Sequence, residues 1–230
     1  SISDYKLDFG LQYTYKLNKK NTINIGAVYT LGRTLHGDAY KYHQTGAESN
    51  GSIYVQSQTG DTIPNPFKMP HTFGIGLTYV YDNRLTIGVD YTLQKWNTAD
   101  LAWSKFNKES VEMNSRTKIA FGAEFVPSYI SHNYLKRIRY RMGAYYSSPY
   151  NKVSYTSPDT GTTSFQDGAR EYGVSIGFGL PMFQSKSMLN ISGQYIKVSP
   201  KFKGLMEENY LRINIGLTFN ERWFMKWKVD

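Results

Sequence analysis

Cysteine is absent, and no apolar run approaches the ~18 to 20 residues that a membrane-spanning helix requires. The first absence excludes disulfide staples and fits a bacterial envelope protein; the second excludes spanning by helices. No Pro/Ser-rich linker or change of composition divides the 230 residues, so one domain is expected. The chain opens on SISDYKLDF without an initiator Met, a basic n-region or a signal-peptide core, and so reads as mature or as a piece of something longer. Histidine is scarce. His36, His43, His71 and His132 have no metal-ligand spacing and sit in or beside predicted loops, which marks them as solvated. There is no Gly-x-Ser-x-Gly and no His paired with a carboxylate at motif distance, so nothing supports a hydrolase. The protein is not expected to be an enzyme, and neither a cofactor nor a metal is expected.

Aromatic residues, by contrast, are abundant at 16%, with 20 Tyr, although the mean hydropathy of -0.51 is that of a polar protein. A soluble core would draw more on Leu, Ile and Val. A membrane β-barrel hides its apolar surface from such an average, because only alternate residues face lipid. The net charge of +9 is scattered along strands and turns, without the clustered basic and aromatic surface that nucleic acid requires.

The stretch from Pro70 to Trp96 sets the pattern. Phe73, Ile75, Leu77, Tyr79 and Tyr81 alternate with small or polar residues, Asp82-Asn83-Arg84 turns the chain, and Leu85, Ile87, Val89, Tyr91 and Leu93 alternate again. Such a hairpin cannot bury its apolar face alone. The same alternation recurs in about nine strands: Asp4 to Leu17, Ile23 to Leu31, the two strands of the hairpin, Arg116 to Val126, Arg137 to Tyr146, Glu171 to Leu180, Leu189 to Tyr195 and Tyr210 to Phe219. Within the polar connection Gly32 to Met69, Tyr40 to His43 and Ser52 to Gln56 are placed to pair as a hairpin above the main sheet. The connection Ser147 to Ala169 has the composition of a solvated loop. Short and long connections alternate, which predicts an all-β, transmembrane up-and-down antiparallel β-barrel with short periplasmic turns and longer extracellular loops. Residues 1–219 would form the barrel strands and 220–230 a periplasmic C-terminal tail. Single-chain bacterial barrels have an even number of strands, so nine strands point to the C-terminal part of a larger barrel.

Charges decide the faces. Lys6, Asp8, Asp90, Glu124, Arg137, Arg139, Arg141, Glu171 and Arg212 all lie opposite the aromatic and aliphatic face. An Arg or Lys facing lipid at mid-bilayer costs ~2 to 4 kcal/mol, so this face must look into the lumen. Many glycines share it, Gly74, Gly76, Gly88, Gly122, Gly143, Gly177 and Gly179 among them. Asp90, Glu124, Arg137, Arg139, Arg141, Glu171 and Arg212 are therefore the candidate lumen-lining residues. The ladder Arg137, Arg139 and Arg141 supports two readings: an anion site, since guanidinium forks suit planar oxyanions, or a set of ion pairs with Glu124, Asp90 or Glu171 that holds the wall. The second is favoured, because ionic ladders inside barrels require no ligand. Tyr29, Tyr81, Trp96, Tyr146 and Trp223 fall near strand ends, as interfacial belt residues do.

Pro70, Gly74, Gly76 and Tyr79, followed by Asp82-Asn83-Arg84, Leu85, Asp90 and Trp96, resemble a hairpin of the FadL/TodX family of outer-membrane transport proteins. The segments RYRMGAYYSSPYN (139 to 151) and REYGVSIGFGLPM (170 to 182) are similar as well, and NYLRINIGLTFNERWFMKWKVD resembles Bacteroidota members. The resemblance covers most of the chain. It implies a 14-stranded barrel with an N-terminal plug and a lateral opening, through which a hydrophobic compound resembling a long-chain fatty acid crosses the outer membrane. Asp90, Glu124, Arg139, Arg141 and Arg212 would orient its head group electrostatically. The competing reading is a structural or accessory barrel with a sealed lumen in a larger envelope complex. A general diffusion porin is disfavoured, because the lumen residues are small and no constriction loop is recognisable. Expected partners are outer-membrane lipid, a hydrophobic ligand, and the missing N-terminal part of the barrel or other envelope proteins.

Overall fold

The computed structural model describes residues 4–49, 52–65, 67–98, 112–156, 162–182, 187–200 and 206–219. In chain order the strands are β1 (Asp8–Lys16), β2 (Asn21–Thr30), β3 (Arg33–Thr34), β4 (Asp38–Ser49), β5 (Ser52–Pro64), β6 (Lys68–Met69), β7 (Thr72–Tyr81), β8 (Leu85–Gln94), β9 (Arg116–Phe125), β10 (Arg139–Ser147), β11 (Lys152–Thr156), β12 (Thr163–Asp167), β13 (Arg170–Pro181), β14 (Met188–Ser199) and β15 (Glu208–Thr218). Nine of them form one sheet in the order β1-β2-β7-β8-β9-β10-β13-β14-β15. Every neighbouring pair is antiparallel, which is the up-and-down topology of a barrel wall. The wall strands run from 9 residues in β1 to 12 in β13 and β14. A tilted strand needs ~9 to 11 residues to cross a bilayer, so each is long enough.

The two-residue side-chain period converts this register into two chemically distinct faces. One cross-strand row runs Tyr13, Ile25, Leu77, Val89, Phe121, Ala144, Val174, Tyr195, Leu211 through all nine strands, without a polar side chain other than the two tyrosines. Aromatic residues flank it on both sides: Tyr91, Tyr146 and Tyr172 toward the long-loop end, Tyr81, Phe125, Tyr140 and Phe178 toward the short-turn end. Ile75, Met142 and Leu211 on this face are 61%, 61% and 77% exposed. A water-soluble protein of this size would cover such a surface. The buried hydrophobic side chains among the described residues are only Ile63, Val126, Ile138 and Ile196, so no second layer supplies a core. Lipid covers the apolar face instead.

Several connections differ from the sequence expectation. The turn Asp82-Asn83-Arg84 is as expected, with Asp82 and Asn83 in the left-handed region at φ 51° and 52°, which these short polar residues tolerate. The hairpin above the sheet exists as β4 and β5, but it is much longer than expected. Tyr40 and Tyr42 lie opposite Thr62 and Gly60, and Ile53 to Val55 lie opposite Gly46 to Glu48, so the two stretches expected to pair face other partners. The loop Ser147 to Ala169 is not wholly irregular, since β11 and β12 pair within it. Arg137 does not extend the sixth wall strand. It ends a 3-10 turn, Tyr134–Arg137, nucleated by Asn133, whose side chain accepts from the Leu135 N–H at 3.0 Å. The local Asn cap competes with strand geometry and wins. The tail 220–230, Trp223 included, lies outside the described residues.

His71 is a further correction. Its ring is half-buried and tied down: Nδ1 accepts from the Gly32 N–H at 3.1 Å and lies 2.8 Å from the Tyr29 hydroxyl. The ring also stacks on Tyr29, which in turn contacts Phe9 and Phe73. This cluster ties the start of the long β2–β7 connection to its end. It depends on Gly32, where an added Cβ would lie 2.6 Å from the His71 backbone nitrogen. Gly32→Ala is therefore expected to cost ~1 to 3 kcal/mol through overpacking, read as a lower denaturant midpoint in detergent micelles. An unchanged midpoint would show that the clamp yields freely.

Candidate functional site

The inner face divides into a bare region and a charged one. Gly88, Gly122 and Gly143 are direct cross-strand neighbours on β8, β9 and β10, with Gly26 and Gly76 paired on β2 and β7. Asp90 leans over Gly76, where a Cβ would approach its Oδ1 to 2.5 Å. It borders a shallow bay of about 460 Å³ with Gln12, Asn24 and Thr78. Asp90 makes no ion pair among the described residues; of the three carboxylates offered as partners of the arginine ladder, it is Glu124 that engages Arg139 and Arg141.

The charged region is built on β9, β10, β13 and β14. Glu124 lies directly across from Arg141 in the register. Its Oε2 accepts from Arg141 Nε at 2.7 Å and its Oε1 from Arg139 Nη1 at 3.1 Å. Arg141 Nη1 also donates to Asn190 Oδ1 at 2.7 Å, and the Arg139 guanidinium lies 5.8 Å from the Tyr129 ring centroid. One carboxylate thus serves two arginines, and the expected ladder of three is a pair, because Arg137 belongs to the 3-10 turn. Both arginines can lie flat along the wall because Gly179 and Gly177 stand opposite them.

Glu171 serves a separate cluster nearer the long-loop end. It accepts from the Tyr145 hydroxyl, and its Oε2 lies 3.8 Å from Arg116 Nη2. Arg116 Nε donates to Ser147 Oγ at 2.7 Å, and Lys118 Nζ sits 4.7 Å from the Tyr145 ring centroid. The Tyr145 ring lies over Gly173, where a Cβ would come within 2.0 Å of it. Arg212 is on the same face, on the outermost strand β15, and forms no ion pair among the described residues. Sequence reasoning missed Arg116, Ser147, Tyr145 and Asn190. Arg116, Tyr145 and Asn190 carried a signal, since each shares its parity with the inner-face residues of its expected strand, whereas Ser147 fell at the start of an expected loop.

At the long-loop end, a cavity of about 310 Å³ opens among Tyr5, Leu31, Leu35, Met69, Pro70 and Trp96. Asp4 guards it, 3.0 Å from Arg33 Nε and 3.1 Å from His36 Nδ1. The N–H groups of Tyr5 and His36 also donate to Asp4, at 2.8 and 3.1 Å. The Tyr5 N–H and the His36 ring, with Arg33 adding its charge, hold the carboxyl below its ordinary value of 3.8. A depressed carboxyl pKa means that these contacts contribute fully above the unfolded value and are lost as the pH falls through the lower native one. Hydrogen-exchange protection of Tyr5 and His36, corrected for intrinsic rates, should fall below about pH 4. The pH dependence should vanish in Asp4→Asn, and its persistence there would assign it to another group.

An all-β, up-and-down sheet with one lipid-facing and one polar face is the wall of a transmembrane β-barrel of the outer-membrane class. The chain belongs to the BamG family, whose pattern it matches along residues 1–230. Among solved structures, the P. putida toluene transporter TodX is similar at 16% identity over 90% of this chain and 46% of that one, with a TM-score of 0.47. A TodX deltaS2S3 mutant, described as a monoaromatic hydrocarbon channel, is similar at 16% identity over 90% and 47%, with a TM-score of 0.49. The chain spans about half the length of these solved structures. No curated protein sequence matches it.

Proposed function

We propose that this chain is a structural, accessory barrel component of a larger outer-membrane complex. Membership of the BamG family along the whole chain carries this reading, since it is compatible with a place in an envelope complex. The inner face supports it as well: Glu124 engages both strand arginines, and Glu171 engages Arg116 and Tyr145. A ligand would find these charges already paired. The short turns would face the periplasm, together with the C-terminus, and the long loops would face the exterior.

The sheet has two outermost strands, β1 and β15, exposed along their whole length. Eight successive antiparallel pairings make them run in the same direction. Closing the wall with antiparallel contacts alone therefore takes an odd number of further strands. Five, giving fourteen, satisfy this requirement, whether they come from the same polypeptide or from a partner.

The second reading is passage of a hydrophobic small molecule, and the apolar cavity beside Trp96 and Leu31 favours it. TodX is a toluene transporter, and a substrate of that kind would have to enter from the long-loop end. Affinity purification from outer membranes separates the readings. Stoichiometric partner chains support the accessory role, whereas a lone barrel that takes up a carboxylated hydrophobe in proteoliposomes, and loses uptake in Arg139→Ala/Arg141→Ala, overturns it.

A further inference from the structure

The lipid-facing surface is not uniformly convex. Ala123 lies across from Met142 and Ile87, and its small side chain leaves a hollow of about 370 Å³ between Leu85, Phe125, Tyr140, Met142 and Phe178. Tyr140 and Phe178 meet edge to face, with ring centroids 5.9 Å apart, and make one stiff side of it. The Tyr140 hydroxyl then reaches the short-turn end and donates to the Leu135 carbonyl at 3.0 Å, which fastens the 3-10 turn to the rim of the hollow. That turn ends in Lys136 and Arg137, and neither forms an ion pair among the described residues. Leu135 and Ile130 beside them are 63% and 93% exposed. The other described short turns, at 17–20 and 82–84, present no comparable pair of apolar residues with adjacent unpaired cations.

We infer that this hollow and its basic turn form a site for an anionic phospholipid, one acyl chain lying along Ala123 between the aromatic side chains and the phosphate held by Lys136 and Arg137. An aromatic-walled groove suits a flexible acyl chain, and two unpaired cations at the level of the headgroups select negative charge. Ile130 and Leu135 enter the interface beside the bound lipid. The assignment of this leaflet to the periplasmic side rests on the orientation given above, but the preference for anionic lipid does not.

Native mass spectrometry of the full-length protein released from nanodiscs tests the site, with phosphatidylglycerol and phosphatidylcholine in equal amounts. One phosphatidylglycerol is expected to be retained in preference. Lys136→Gln/Arg137→Gln should reduce that preference by roughly tenfold or more, without altering folding, because both residues lie in a turn outside the wall. Ala123→Phe, which fills the hollow, should abolish retention of either lipid. Equal retention by the wild type, an unchanged preference in the turn variant, or a co-purified protein that shields Ile130 and Leu135 in place of lipid would overturn the inference. Cysteine labelling of Asn18→Cys on intact cells tests orientation separately: labelling from outside would reverse the leaflet and leave the lipid preference standing.

Discussion

Val174→Arg is expected to block assembly into the membrane, while Ser175→Arg, one residue further along β13, is expected to assemble normally. Val174 occupies the central row of the apolar face, between Ala144 and Tyr195, and is 56% exposed. A guanidinium there would meet hydrocarbon, at a cost of ~2 to 4 kcal/mol near the midplane, and central Val174 has no nearby interface to which a long side chain could reach. Ser175 points to the other face. Its neighbour Gly143 has no side chain, and Gly122 lies one strand beyond, so an added side chain has open space in a polar lumen. Heat-modifiable mobility on gels and the yield in isolated outer membranes would read both outcomes. Loss of assembly by Ser175→Arg with tolerance of Val174→Arg would mean that the two faces have been exchanged.

The same alternation made the wall legible in the sequence. Leu85 to Gln94 and Thr72 to Tyr81 follow the strict period of two, and a single-residue slip would turn Asp90 or Arg141 into lipid, so the face each residue takes is strongly specified. Pairing partners are a different matter. A slip of two residues keeps every side chain on its proper face, and the alternation alone cannot tell whether Arg141 meets Glu124 or some other carboxylate. The observed register sets Asp90 opposite Ala120 and Glu124 opposite Arg141. That single offset decides which ion pairs exist. Where strand propensity gives way, the sequence is less legible: Asn133 ends the strand extension at Arg137 by capping a turn, and Ser- and Thr-rich residues that read as loop pair as β11 and β12. The cavity at Trp96 could not be read at all. Its residues come from Asp4 to Lys6, Thr30 to Leu35 and Met69 to Trp96, and only the sheet brings them together.

Glu124→Gln is expected to have the largest effect of any lumen substitution, and its partner variants distinguish what the cluster is for. Removing the charge leaves Arg139 and Arg141 side by side without their shared acceptor, their side chains 33% and 37% exposed. Breaking a fully buried pair costs ~3 to 5 kcal/mol, and an exposed pair is worth ~0 to 1 kcal/mol. At this partial exposure a loss of ~1 to 2 kcal/mol is the reasonable expectation. If the cluster serves to hold β9, β10 and β14 in register, Glu124→Gln/Arg139→Gln/Arg141→Gln should recover part of that stability, because no charge is then left unmatched. Uptake of a carboxylated hydrophobe should not respond to either variant. If the arginines instead serve a passing anion, Glu124→Gln frees both guanidinium groups, and anion affinity should rise as stability falls. Stability and uptake measured on the same two variants therefore move together under neither reading, and a rise in uptake in Glu124→Gln alone would displace the structural role in favour of transport.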